Sequence, residues 1–252
     1  EALRTGVRSA QAGALDDAAR RAIAEYLGDR KLGAGQVGDA KLMPNRCQAG
    51  RVMSNLATRA WNGWGADREN TRFQPAERAG LSSSQLPRLQ LKWAFGFPGA
   101  SAVYGQPTVA GDRVFVGADT GYVYALDQAT GCVHWSFQGQ AGVRSAVTIG
   151  SVDSSARIGA YFGDMKGNVY AVDANTGEQI WKITADEHAL TRITAAPVLY
   201  QNRLFVSVGS FEEGAATSSR YPCCTFRGSV VALNTNSGRQ IWKTFTIADA
   251  PR

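Results

Sequence analysis

Gly121-Tyr-Val-Tyr-Ala-Leu-Asp-Gln-Ala-Thr-Gly-Cys-Val-His-Trp135 decides the fold, because the chain repeats it. The second copy is Gly167-Asn-Val-Tyr-Ala-Val-Asp-Ala-Asn-Thr-Gly-Glu-Gln-Ile-Trp181. The third is Gly228-Ser-Val-Val-Ala-Leu-Asn-Thr-Asn-Ser-Gly-Arg-Gln-Ile-Trp242. Each copy begins with an alternating strand, with Val123 and Ala125 on one face and Tyr124 and Leu126 on the other. A turn follows, opened by Asp or Asn, with Gly where a positive φ is needed. A second strand then ends in Trp. The copies are separated by 46 and then 61 residues. A repeat of this length matches one four-stranded propeller blade. The longer interval holds an insert of 15 extra residues carrying Glu212, Glu213, Cys223 and Cys224.

Composition agrees with a mostly β chain. The 252 residues include 28 glycines and are 44% hydrophobic, and the apolar runs are short. No run of about 18 apolar residues is present, so no membrane span is expected. The net charge is +6, but the Lys and Arg residues are scattered, which argues against a nucleic-acid surface. The four cysteines form no Cys-x-x-Cys and no zinc-finger spacing. Cys47 is isolated, and Cys132, near a blade Trp, reads as a small core residue. Residue 1 is Glu, as expected of a processed chain or a piece of a longer one.

Residues 1–30 read differently from the rest. Asp16 or Asp17 can cap a helix with Ala19, Ala22, Ile23, Tyr26 and Leu27 at helical spacing, and Gly28 ends it. Residues 31–60 read as a linker, and 61–252 as propeller. Within the propeller, Tyr104–Pro107, Val143–Ala146 and Arg192–Ala195 each precede a blade and are expected nearest its axis.

The run Trp61-Asn-Gly-Trp-Gly-Ala-Asp-Arg-Glu-Asn-Thr-Arg-Phe73, followed by Leu89-Gln-Leu-Lys-Trp-Ala-Phe-Gly-Phe97 and the blades, resembles pyrroloquinoline quinone (PQQ)-dependent alcohol dehydrogenases. The adjacent Cys223-Cys224 in "Tyr-Pro-Cys-Cys-Thr-Phe-Arg-Gly" resembles the polyvinyl-alcohol dehydrogenase branch. Leu15–Leu27 resembles the last helix of a cytochrome c domain. The stretch Thr5–Ser9, where that family has its axial Met, has none.

The resemblance implies a partial eight-bladed β-propeller: about three blades plus a closing strand that pairs into the last blade, preceded by the short α-helical segment. It implies that Trp135, Trp181 and Trp242 dock on neighbouring blades. It also implies that a Cys223–Cys224 disulfide covers one face of PQQ, that Arg144 and Thr194 bind the cofactor, and that Glu212 binds both the cofactor and a Ca²⁺ ion. Glu213 is the other metal candidate. Planar guanidinium suits carboxylates, and carboxylate oxygen suits Ca²⁺.

The implied parent is a periplasmic enzyme that oxidises secondary or polymeric alcohols and passes electrons to cytochrome c. Its haem c and its catalytic residues are expected outside this chain, so the chain alone is expected to be inactive. The alternative is a non-enzymatic propeller scaffold of the outer-membrane assembly type, which carries the same blade pattern.

Overall fold

The computed structural model describes residues 15–28, 38–53, 56, 60–65, 69–153 and 156–249. The chain divides into two compact units, residues 1–38 and 39–252. In the first, α1 (Asp17–Gly28) is the expected helix. Asp16 is the cap: its Oδ1 accepts from the Ala19 amide at 2.7 Å. Thr5–Ser9 lies outside the described residues.

The second unit opens with irregular chain and α2 (Ala76–Ala79), then builds three antiparallel sheets. The first is β1 (Thr108–Ala110), β2 (Arg113–Gly117), β3 (Tyr122–Asp127) and β4 (Val133–Gln138). The second is β5 (Thr148–Ser151), β6 (Ile158–Gly163), β7 (Asn168–Asp173) and β8 (Gln179–Thr184). The third is β9 (Thr191–Arg192), β10 (Val198–Tyr200), β11 (Arg203–Ser210), β12 (Ser229–Asn234) and β13 (Gln240–Phe245), with α3 (Glu212–Ala215) after β11. Strands pair in chain order, except that β9 joins β11. These are three propeller blades.

The repeated stretch forms the last two strands of each sheet. The same bulge recurs at Ala125/Leu126, Ala171/Val172 and Ala232/Leu233. The turn works as read. Asp127 Oδ1 accepts from the Ala129 and Thr130 amides, and Asp173 and Asn234 do the same in their turns. The turn glycines Gly131, Gly177 and Gly238 have φ of +72°, +76° and +69°, so a side chain there is strained.

Alternation feeds two cores, one on each side of a sheet. Val123 and Ala125 of β3 face the second sheet with Ala160, Phe162 and Tyr170. Tyr124 and Leu126 face the other way, onto Trp93, Phe95 and Phe97. The Trp residues lock these layers. Trp135 Nε1 donates to Ala174 O at 3.0 Å, and Trp181 Nε1 to Thr235 O at 2.7 Å. Their rings lie against Gly177 and Gly238. Trp93 docks in the same way on Gln128 O and Gly131. It lies 42 residues before Trp135, near the repeat period.

Two expectations are corrected. The linker over 31–60 is no spacer in its described part from Asp39. Asn45–Cys47 runs parallel to β4, with Cys47 N bonded to Val133 O and Val133 N to Asn45 O. Cys132 is not a lone core thiol, because that pairing brings it into a disulfide with Cys47. Trp61 pairs with β1: it exchanges two backbone hydrogen bonds of 2.8 Å with Val109. Asn62 beside it bonds Ile149 of β5 through both amide atoms. Trp61 and Asn62, at the start of the run implied to close a ring, thus also bond to the inner strands of the first two sheets.

Candidate functional site

The inner strand β5 neighbours β1 on one side and β10 on the other. Threonines stitch them: Thr108 donates to Val147 O and Thr148 to Pro197 O. The segments before these strands share one register. The Val143 amide donates to Ala118 O and packs on Gly117. Likewise the Ile193 amide donates to Asp164 O, and Ile193 packs on Gly163. Tyr104, Arg144 and Thr194 therefore occupy one repeat position in three successive sheets, and all three are exposed. Arg144 lies over the Tyr104 ring, 4.3 Å from its centroid. Thr194 opens on a cleft of about 800 Å³, whose walls include Asn62, Trp64, Thr148, Pro197 and Phe205.

Beside this row stands Arg192, which sequence reasoning passed over as a site residue. Its strand β9 is held by β11 through the Arg192–Gly209 pair. Its guanidinium lies 3.6 Å from the Phe211 ring centroid. Burial pulls the guanidinium below its ordinary value; Glu213 opposes that shift and Arg144 adds to it. Arg144, Arg192 and Glu213 thus share one electrostatic neighbourhood. Among the described residues, neither guanidinium donates a hydrogen bond to a protein oxygen or pairs with a carboxylate.

The insert begins where this neighbourhood ends. Glu212 is 5% exposed. Its Oε1 accepts from the Tyr221 hydroxyl at 2.7 Å and the Thr225 amide at 2.8 Å, and its Oε2 accepts from the Phe226 amide at 2.8 Å. His188 Nε2 is 3.6 Å from Oε1. Burial alone would push this carboxyl up. The Thr225, Tyr221 and Phe226 hydrogen bonds, with His188, outweigh it and hold the group below its ordinary value. His188 is oriented in turn: its Nδ1 accepts from the Leu190 amide, which leaves Nε2 toward Thr225 Oγ1 at 3.0 Å.

Cys223 and Cys224 form a disulfide, exposed and next in chain to Thr225. Glu212 therefore ties the cysteine pair back to the base of β11. Glu213 is exposed. The structure brings Arg144, Glu213 and the start of the insert together around Arg192. Thr194 shares the Arg144 register and opens on the cleft.

The donor set suits a planar anion, since cations stacked on rings present their N–H edges outward. It does not by itself make a metal site. Among the described residues no three His, Cys, Asp or Glu side chains gather, and both Glu212 oxygens already accept from the insert. Among the described residues no helix is long and apolar enough to cross a membrane.

Comparison with known proteins bears on the family and the fold. The family model described as "Outer membrane protein assembly factor BamB", a PQQ-type propeller model, matches residues 90–220, more than half the chain. A polyvinylalcohol dehydrogenase of Pseudomonas sp is 38% identical over 98% of this chain and 40% of its own length. A second, from Sphingopyxis sp. (strain 113P3), is 33% identical over 88% of this chain and 34% of its own. The chain thus spans well under half of these relatives.

Among solved structures, quinohemoprotein alcohol dehydrogenase from Comamonas testosteroni superposes with a TM-score of 0.61 at 22% identity, over 75% of this chain and 27% of its own. ADHIIG from Pseudomonas putida HK5 gives 0.63 at 21%, over 83% and 30%. These two speak to the fold alone. The family model over more than half the chain, the shared blades and the docked tryptophans lead to one conclusion: the chain belongs to the PQQ-type β-propeller family, and it is similar along most of its length to polyvinylalcohol dehydrogenases.

Proposed function

We propose that this chain is the cofactor-binding portion of a PQQ-dependent alcohol dehydrogenase, acting on secondary or polymeric alcohols. The observation that carries the reading is the axial row Tyr104, Arg144 and Thr194, with its unspent guanidinium edge, in a chain 38% identical to a polyvinylalcohol dehydrogenase. Arg144 would hold the cofactor's carboxylates, and the Thr194 hydroxyl would donate a hydrogen bond to it. The exposed Cys223–Cys224 disulfide would cover one face of the planar ring. When bound, PQQ supplies the two-electron acceptor for oxidation of the alcohol; the protein supplies binding, orientation and exclusion of water.

A metal accompanies the quinone in this reading. Glu213 is the carboxylate with open oxygens, while Glu212 has the sequence context but spends both of its oxygens on the insert. The described residues do not complete that site, so no step is assigned to the metal. The two disulfides support an oxidising compartment, here the periplasm. The capped helix α1 supports a cytochrome c-like domain as electron acceptor.

The test is to add PQQ and Ca²⁺ to the full-length protein, desalt it, and record the quinone absorbance before and after adding a secondary alcohol. Retained quinone whose absorbance changes with alcohol is the expected result. Folded protein that retains no quinone would overturn the reading. It would leave the scaffold function named by the family model as the better account.

A further inference from the structure

Arg192 has no counterpart in the second sheet. The repeat register that aligns Ile193 with Val143 aligns Arg192 with Gly142. A cation has thus been added at the axial end of one sheet, beside the arginine already supplied by another. The backbone is fixed on both sides, by pairing with Gly209 and by the Ile193 amide bonded to Asp164 O. The guanidinium lies over the Phe211 ring. Phe211 is anchored in turn: its amide donates to Leu190 O, and Gly214 lies so close under the ring that any Cβ there would collide with it.

Two guanidinium groups held over rings on neighbouring sheets, with no carboxylate paired to either among the described residues, form an arrangement that an anion stabilises. Stacking satisfies the flat faces but leaves the N–H edges to be used. A carboxylate accepts such edges in charge-assisted hydrogen bonds, among the stronger ones available to a protein. A ligand with more than one carboxylate on a rigid ring could engage both arginines without ordering a flexible chain.

We propose that Arg192 is a second anion-binding residue of the axial site, clamping the carboxylates of the planar cofactor together with Arg144. This rests on the reading of the site as a PQQ site and adds a binding residue that the resemblance did not supply.

The test is a binding titration of PQQ into the metal-loaded, full-length protein, followed by quenching of Trp fluorescence, with Arg192→Gln and Arg192→Lys variants checked for native circular dichroism. Losing a charge-assisted bond should weaken Kd by about tenfold to a hundredfold in Arg192→Gln. Arg192→Lys, which keeps the charge but loses the fork, should fall between the two. Added NaCl should weaken the wild type more than Arg192→Gln. Wild-type affinity in a folded Arg192→Gln protein would overturn the clamp and leave the PQQ reading intact. No binding by the wild type would overturn the PQQ reading itself, and the clamp with it. If Arg192→Gln fails to fold, Arg192→Lys decides: unchanged affinity and unchanged salt dependence in that variant overturn the clamp.

Discussion

The two outer faces of the three-sheet array are built from the same repeat and end differently. On the first sheet, Tyr124 and Leu126 are covered by Trp93, Phe95, Phe97 and Met43. On the third, Trp242, Ile241 and Phe245 are exposed along β13, as are Val198 and Tyr200 on β10. Trp135 and Trp181, which each have a following sheet, are 5% and 7% exposed; Trp242 is 36% exposed. Yet the third copy has the same bulge, the same Asn-opened turn and the same left-handed glycine as the other two. The repeat therefore encodes the blade, but the neighbour determines what its Trp contributes. This is how a stack of repeats divides its stability between units and interfaces.

The largest expected effect tests that division directly. Trp181→Ala in the 252-residue chain should cost about 3–5 kcal/mol, because it empties a packed interface and orphans Thr235 O. Trp242→Ala should cost less than about 1 kcal/mol, as at other exposed positions. Urea unfolding of the two variants gives the comparison. Equal losses would break it. In the full-length protein, a rise of the Trp242→Ala cost toward that of Trp181→Ala would show that a further blade covers this face.

The covered end should owe part of its stability to the Cys47–Cys132 bond, which joins residues 85 apart in sequence. Cys47→Ser should destabilise the chain by about 2–4 kcal/mol through the freed unfolded state. Reductant should lower the wild-type midpoint but leave that of the variant where it is. A variant as stable as wild type would mean that Trp93 and its neighbours hold the end without the staple.

A smaller effect belongs to the turn glycines. A Cβ at Gly177 would stand 2.7 Å from the Trp135 ring, at φ +76°. Gly177→Ala should therefore cost about 1–3 kcal/mol by overpacking and backbone strain. Gly50, with φ +85° but open space around it, isolates the strain. Gly50→Ala should cost only the backbone part, so the difference between the two variants measures the Trp contact.

Much of this was legible because a period-2 strand and an Asx-Gly turn are local facts. Val123, Ala125, Tyr124 and Leu126 reach their faces through the pleat, and Gly131 must be glycine whatever lies beyond it. The Cys47–Cys132 bond was not legible, because 85 residues of folded chain decide which strand Asn45–Cys47 runs beside. Trp93 was not legible as a docking residue, because no copy of the repeat surrounds it and no strand forms around it. In the site, the shared register of Arg144 and Thr194 was readable from their segments, while their roles toward a cofactor come from the resemblance alone. Arg192 gains its meaning only from Phe211, 19 residues later, and from Arg144 in another sheet. Glu212 could be read as an available carboxylate until the loop that folds back onto it was in view.

That loop offers the smallest and most local test. It sits on the sheet with the bare face, so its hold can be lost without disturbing the buried interfaces. The folded Glu212 carboxyl lies below its ordinary value of 4.5. The unfolded loop therefore takes up a proton first as pH falls. The contribution of Glu212 is complete above that ordinary value and disappears as pH falls through the lowered folded value. Hydrogen-exchange protection of the Thr225 and Phe226 amides, which point at Glu212 Oε1 and Oε2, should fall over that interval. Protection at Ala171 and Val231, in the sheets, should not. Glu212→Gln should leave both amides weakly protected and nearly insensitive to pH. If their protection fell together with that of the sheets, the insert and the third blade would be one cooperative unit, and the bare face would be no looser than the covered one.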